Sequence, residues 1–307
     1  MPGVPFCLAR LSFDVFCLIV MDQPVVLAVL ALICYGFSDF IYKQAAAAGI
    51  RADHFLMAQG WIFCPLVILY AAATHRLVPD PAALWGSLAG VLLLIGFYNF
   101  IRSLASGSVS TNSSIFRLNF IVTVILVIAL LGEPATPAKI AGLALALLAT
   151  WLLVGGAGAD KRSGQATNRS LVQVAVATLC FGASNFFHTV GLRQGALPET
   201  LAVAQAALFM PLATVLVYLA DRRLRPPSVT FRYSSIAAVL LVGATIFLLR
   251  SIAGGQASVV VPISQMGFIV AALLGIVVLG ERLTARKAIG LLSAMAALGA
   301  LAASPYL

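Results

Sequence analysis

VLLLIGFYNFIRSLASGSVSTNSSIFRLNFIVTVILVIALLGEPATPAKIAGL, residues 91–143, returns without a gap as VLLVGATIFLLRSIAGGQASVVVPISQMGFIVAALLGIVVLGERLTARKAIGL, residues 239–291. The offset is 148 (281 − 133). Arg102-Ser103 falls on Arg250-Ser251, Phe120-Ile121-Val122 on Phe268-Ile269-Val270, and Leu131-Gly132-Glu133 on Leu279-Gly280-Glu281. Thr136, Lys139 and Gly142-Leu143 fall on Thr284, Lys287 and Gly290-Leu291. Upstream the offset becomes 146 (180 − 34), placing Cys34, Gly36, Ser38, Phe40, Gly49, Gln59 and Pro65-Leu66 on Cys180, Gly182, Ser184, Phe186, Gly195, Gln205 and Pro211-Leu212. Matched Arg, Glu, Lys, Gln and Pro positions do not arise from shared greasiness. They mark a duplicated unit, and an internal repeat reports directly on architecture.

Composition gives that unit its solvent. Of 307 residues 62% are hydrophobic and 9% charged, against roughly 45–50% and 25% in soluble domains, and the mean hydropathy is +1.05. A membrane-spanning helix takes about 20 apolar residues, so about ten spans fit. The first five runs are Pro24–Ala46, Ala52–Ala73, Ala82–Ala105, Val109–Leu131 and Ala138–Gly155. The second five are Ser170–Gly191, Thr200–Ala220, Ser234–Ala253, Ala257–Leu279 and Ala285–Ala303. Between them the polar stretch Gly156–Arg169 reads as a solvated linker.

The expected fold is therefore an all-α integral membrane protein of about ten transmembrane helices, arranged as two five-helix repeats at 21–155 and 170–307 joined by a linker at 156–169. An odd number of spans per unit makes the second repeat enter from the opposite side, so the repeats are inverted. That plan recurs in secondary transporters, whose sites lie near the midplane where the repeats meet. Residues 1–20 duplicate nothing later and lack the layout of a signal peptide. They read as an extension or an early start, with Met21 the natural beginning.

The net charge of +9 would suggest nucleic acid on a soluble surface, but no nucleic-acid-binding motif is present. Most Lys and Arg fall in short breaks between spans, where they set orientation and meet anionic lipid. The five cysteines, Cys7, Cys17, Cys34, Cys64 and Cys180, have neither disulfide nor zinc spacing. No metal or cofactor is expected.

The doubled motif, Leu131-Gly132-Glu133 with Thr136, Lys139 and Gly142, then Leu279-Gly280-Glu281 with Thr284, Lys287 and Gly290, resembles the drug/metabolite transporter superfamily, EamA type. The resemblance implies a ten-helix inverted-repeat transporter with a central cavity, from a family that moves amino acids, other metabolites or drugs, often outward. It also implies a bacterial inner (cytoplasmic) membrane. Physically, Thr136 and Thr284 suit the N-cap of the next helix, with Pro137 at a first helical position. Glu133 and Glu281 lie just before those starts, where a charge can stay hydrated. The motif reads first as structure.

Polar residues inside spans carry the functional expectation, since an intramembrane charge costs about 2.5–3.5 kcal/mol on insertion scales and tends to face a cavity or partner. The candidates for substrate contact or coupling are Asp39, Asn99, Arg117, Asn119, Asn185, His188 and Gln265. Asp39 is the only acid well inside a span, and so a site for proton or cation coupling or a partner for Lys43 or Arg117. Arg117, whose repeat counterpart is Gln265, either clamps an anionic group or balances Asp39. Asn185 replaces Asp39 in the repeat and shares a helix face with His188, which is either a proton carrier or a packing residue. Arg102 and Arg250 are expected to snorkel to lipid. Pro65, Pro211 and Pro262 favour kinks.

The reading is a secondary carrier of a small organic solute working by alternating access. Its partners are that solute and the bilayer. No Walker loop, HExxH or GxSxG supports an ATPase or intramembrane enzyme; a lipid-linked-substrate flippase or a non-transporting membrane protein is the alternative. Lys and Arg concentrate on the linker side, at Arg51, Lys161, Arg162, Arg169, Arg222, Arg223, Arg225, Arg232, Arg282, Arg286 and Lys287. The opposite side has Arg76, Lys139 and Arg193, plus Arg10 in the N-terminal extension. That bias predicts the termini outside and the linker inside, whereas the family is usually drawn with both termini inside.

Overall fold

The computed structural model describes residues 23–106, 112, 115–154, 168–221, 224, 227–279 and 284–304. The expected extension 1–20, most of the linker 156–169, and Gly280 and Glu281 of the second motif lie outside the described residues. The helices are α1 (Gln23–Ala47), α2 (Ala52–Ala73), α3 (Leu84–Ser106), α4 (Asn119–Leu131) and α5 (Pro137–Val154) in the first half. The second half contributes α6 (Asn168–Arg193), α7 (Pro198–Asp221), α8 (Ser228–Gly254), α9 (Ala257–Gln265), α10 (Phe268–Leu279) and α11 (Ala285–Ala303). Seven of these are long and apolar enough to span a membrane, and Asn119–Leu131, Pro137–Leu153 and Ala257–Val270 are shorter apolar helices.

Two spans differ from the continuous helices expected. The fourth is interrupted at Arg117-Leu118 and the ninth at Met266-Gly267. The interruptions fall within one residue of each other under the 148 offset. Each frees backbone groups that only a protein-lined interior can tolerate at membrane depth, and discontinuous helices at matching places in two repeats are a mark of transporter sites.

Packing repeats with the sequence. The α3–α6 interface corresponds to α8–α1, α3–α7 to α8–α2, and α4–α6 to α10–α1, while α5–α11 and α2–α7 pair a helix with its own counterpart. Glycines make the closest of these approaches. A Cβ on Gly36 would lie 2.4 Å from Val270 Cβ, and one on Gly182 would lie 2.4 Å from Val122 Cβ; small residues of this kind let membrane helices approach closely. Gly142 presses on Leu301 as Gly290 presses on Leu153. Gly49 and Gly195 close α1 and α6 at φ +73° and +100°, a left-handed region open to glycine without a Cβ penalty.

The symmetry fails in one respect. In the second half α8 packs against α6 and α7, whereas among the described residues α3 makes no comparable contact with α1 or α2. The first half is splayed where the second is closed.

Candidate functional site

A cavity of about 150 Å³ lies between the halves, lined from α1, α2, α3, α6, α7 and α8 and by both interruptions, through Phe116-Arg117 and Gln265. Its wall is the repeat made visible. Tyr35 faces Phe181's role, Ser38 Ser184's, Asp39 Asn185's, Tyr42 His188's, Gln59 Gln205's and Phe63 Phe209's, each pair at the 146 offset and each member lining the cavity. Phe97 and Thr245 do the same at 148, as do Arg117 and Gln265.

Asp39 and Arg117 meet there. Arg117 NH2 donates to Asp39 Oδ2 at 2.5 Å, with each side chain 22% exposed. The helix break supplies Arg117 and the third quarter of α1 supplies Asp39, so the pair joins two elements across the cavity and cancels its charge. Of the two partners expected for Asp39, Arg117 is seen on it, and the Lys43 side chain lies outside the described residues. Phe97, Phe116 and Phe181 form an edge-to-face cluster beside the pair, with Phe97–Phe181 and Phe116–Phe181 centroids both 4.7 Å apart.

Asn185, His188 and Gln265 also reach the cavity. Asn99 and Asn119 do not line it. Asn99 Nδ2 donates to Ile95 O one turn back on α3. Asn119 begins α4, where its Nδ2 donates to Phe116 O at 2.9 Å and holds the interrupted turn.

The doubled motif builds one end of the molecule. Thr136 Oγ1 accepts from Lys139 N, and Thr284 Oγ1 from Lys287 N, both at 3.3 Å. Gly132 ends α4 with φ +69°. Glu133, expected to sit hydrated, is instead buried, its side chain 3% exposed. Its Oε1 accepts from Arg193 at 2.7 Å and from Ala257 N at 3.1 Å, and its Oε2 from Ser258 N at 2.8 Å. The carboxylate thus caps the start of α9, where orphan amides and the helix dipole favour an anion. Lys139 Nζ bridges Pro134 O and Gln256 Oε1. This end also gathers Ser251 Oγ on Pro24 O and Thr200 Oγ1 on Arg76 O. Starts of α1, α5, α7 and α9 and ends of α2, α4, α6 and α8 meet here.

The sequence reading missed a second ion pair at this end. Arg250, expected to snorkel to lipid, reaches Glu199 with Nε at 2.9 Å and NH2 at 2.5 Å and lies over the Tyr70 ring. Glu199 is fully buried, so Asp39 is not alone among enclosed acids. The available signal was the repeat, since an offset of 146 puts Asp53 on Glu199 while 148 puts Arg102 on Arg250. At the opposite, linker end those counterparts are apart in their bonding. Arg51 holds Asp53 at 2.6 Å, and exposed Arg102 bonds Tyr98 Oη on its own helix at 2.8 Å.

Residues 23–155 match the EamA-like transporter family. A solved structure described as "Crystal structure of protein" superposes with a TM-score of 0.74 at 16% identity, covering 92% of this chain and 96% of that one, a likeness of fold. No curated protein matches the sequence. The chain thus carries an EamA-like transporter family domain over residues 23–155, and its all-α fold with long apolar spans is that of a multi-pass membrane protein.

Proposed function

We propose that this protein is a secondary carrier of a small organic solute, working by alternating access through the cavity between its repeats. The observation that carries the reading is one ion pair present in two states at once. Arg250–Glu199 is closed across α8 and α7, and the same residue types at the same repeat positions, Arg102 and Asp53, bond elsewhere. An inverted repeat in two different conformations is asymmetric about the membrane midplane, and exchanging the two conformations turns the cavity to the other side. The described state is then shut at the Glu133 end and splayed at the linker end.

Asp39 and Arg117 are the groups of this cavity that a solute or a coupling proton would meet. A carboxylate paired in a cavity holds its partner in place until something with its own charge or hydrogen bonds competes for it. The Lys and Arg bias places the linker end, and so the splayed side, in the cytoplasm, at the inner membrane in a bacterial cell. Labelling of a cysteine placed at Ser163 with an impermeant reagent on intact cells tests the orientation, and rapid labelling would overturn it.

Proteoliposome flux tests the function. A carrier exchanges labelled solute for unlabelled solute across the bilayer without ATP, and Asp39→Asn reduces that exchange at least tenfold while the protein stays folded. A flippase of lipid-linked substrates would instead move lipid with no solute exchange.

A further inference from the structure

The cavity wall holds a second polar pair whose two copies differ. In the first half Tyr42 and Gln59 satisfy each other, Gln59 Nε2 donating to Tyr42 Oη at 2.7 Å and Tyr42 Oη lying 3.1 Å from Gln59 Oε1. Their repeat counterparts are His188 and Gln205. Both line the cavity, His188 4% and Gln205 8% exposed. Where the first-half pair bonds, this one does not: His188 Nδ1, His188 Nε2 and Gln205 Oε1 have no partner among the described residues.

A buried polar atom without a partner carries the full penalty of its lost water, and here three such atoms converge on one wall. A neutral imidazole has one donor and one acceptor, and an amide oxygen accepts only. What satisfies the Gln205 oxygen together with one imidazole nitrogen is a group that donates and accepts along one edge. The Asp39–Arg117 pair meanwhile leaves the cavity without net charge, since each ion is already answered by the other. A lone cation or anion entering it would have to break that pair.

We propose that His188 and Gln205 form a recognition subsite for an uncharged carboxamide or lactam edge, and that the solute is a neutral molecule carrying this edge on a planar apolar body. The body packs among Phe63, Phe97 and Phe209, which line the same cavity; Phe97 and Phe209 stand edge to face at 6.2 Å. A ligand edge that makes these bonds gains discrimination, because an analogue lacking it leaves the same atoms unpaired. This inference rests on the carrier reading for its site, though not for its chemistry.

Four probes of one shape decide it: benzamide, benzoate, benzylamine and toluene, bound to the purified full chain and followed by tryptophan fluorescence and thermal shift. Benzamide is expected to bind at least tenfold more tightly than each of the others. His188→Phe and Gln205→Leu are expected to remove that preference while toluene binding is retained. Benzoate or benzylamine binding as well as benzamide, no benzamide binding at millimolar concentration, or a preference unchanged in both variants would overturn the subsite. Should either variant fail to fold, the ranking of the four probes by the unaltered protein still decides. The two readings fail separately. Selective benzamide binding with no benzamide exchange in proteoliposomes overturns the carrier and leaves the subsite, whereas solute exchange without any carboxamide preference does the reverse.

Discussion

Arg250 with Glu199, and Arg102 with Asp53, are the same device built twice in one chain, and in this structure they are found in two different conditions. At the Glu133 end the guanidinium crosses from α8 to a carboxylate with no exposed surface. At the linker end the acid, a third exposed, is held by Arg51, its neighbour two residues away. Sequence alone makes the two ends near equivalents; packing makes them opposites, with α8 seated on α6 and α7 and α3 standing off from α1 and α2. The difference teaches that matching Arg and acid positions are closed at one end and open at the other, with Arg51 competing for Asp53 where the second half has Leu197.

The largest expected effect tests that contrast on stability. Glu199→Ala strands Arg250 against a buried surface, and breaking a buried pair from one side costs on the order of 3–5 kcal/mol. Asp53→Ala removes an exposed pair and is expected to cost under about 1 kcal/mol. Unfolding of the two variants in detergent, followed by circular dichroism, measures both; equal losses would erase the distinction between the ends.

Asp39→Asn comes next, since it leaves Arg117 charged in the cavity. A penalty of about 1–3 kcal/mol is expected, together with the loss of exchange stated above. Asp39→Asn combined with Arg117→Gln is expected to recover the stability and not the transport, a split that separates a structural pair from a working one.

A smaller effect sharpens the repeat itself. Gly36→Ala and Gly182→Ala each force a Cβ to 2.4 Å from a neighbouring Cβ, and overpacking of this kind costs about 1–3 kcal/mol. Melting temperatures of the two variants are expected to fall by similar amounts, because the contacts are copies. The smallest change is Arg102→Lys, under about 0.5 kcal/mol at an exposed site, against a clearly larger loss for Arg250→Lys, where a two-nitrogen contact is removed.

The fold was legible because bilayer thickness and repetition leave few solutions. Matched Arg, Glu and Gln positions gave the duplication, and ten apolar runs gave the spans. The interruptions at Arg117-Leu118 and Met266-Gly267 were not legible, since a long apolar run looks the same whether its backbone bonds continue or turn aside to face a cavity. Asp39, Arg117, Asn185, His188 and Gln265 were found because polarity within a span is costly and therefore conspicuous. Glu133 and Arg250 were misjudged, and Glu199 was passed over, for the converse reason. They lie near helix ends, where hydration is the ordinary expectation, and burial there depends on partners such as the α9 amides that are 124 or more residues distant in sequence.

The central claim is that the two ends exchange conditions. Spin labels on cysteines at Ala135 and Ala253 report the Glu133 end, and labels at Ala48 and Arg232 report the linker end, each pair read by double electron–electron resonance in a background without native cysteines. Glu133→Gln weakens the latch on Arg193 and α9 and is expected to lengthen the first distance while shortening the second. Two ends that lengthen together, or a linker-end distance that stays fixed while the Glu133 end opens, would contradict the account.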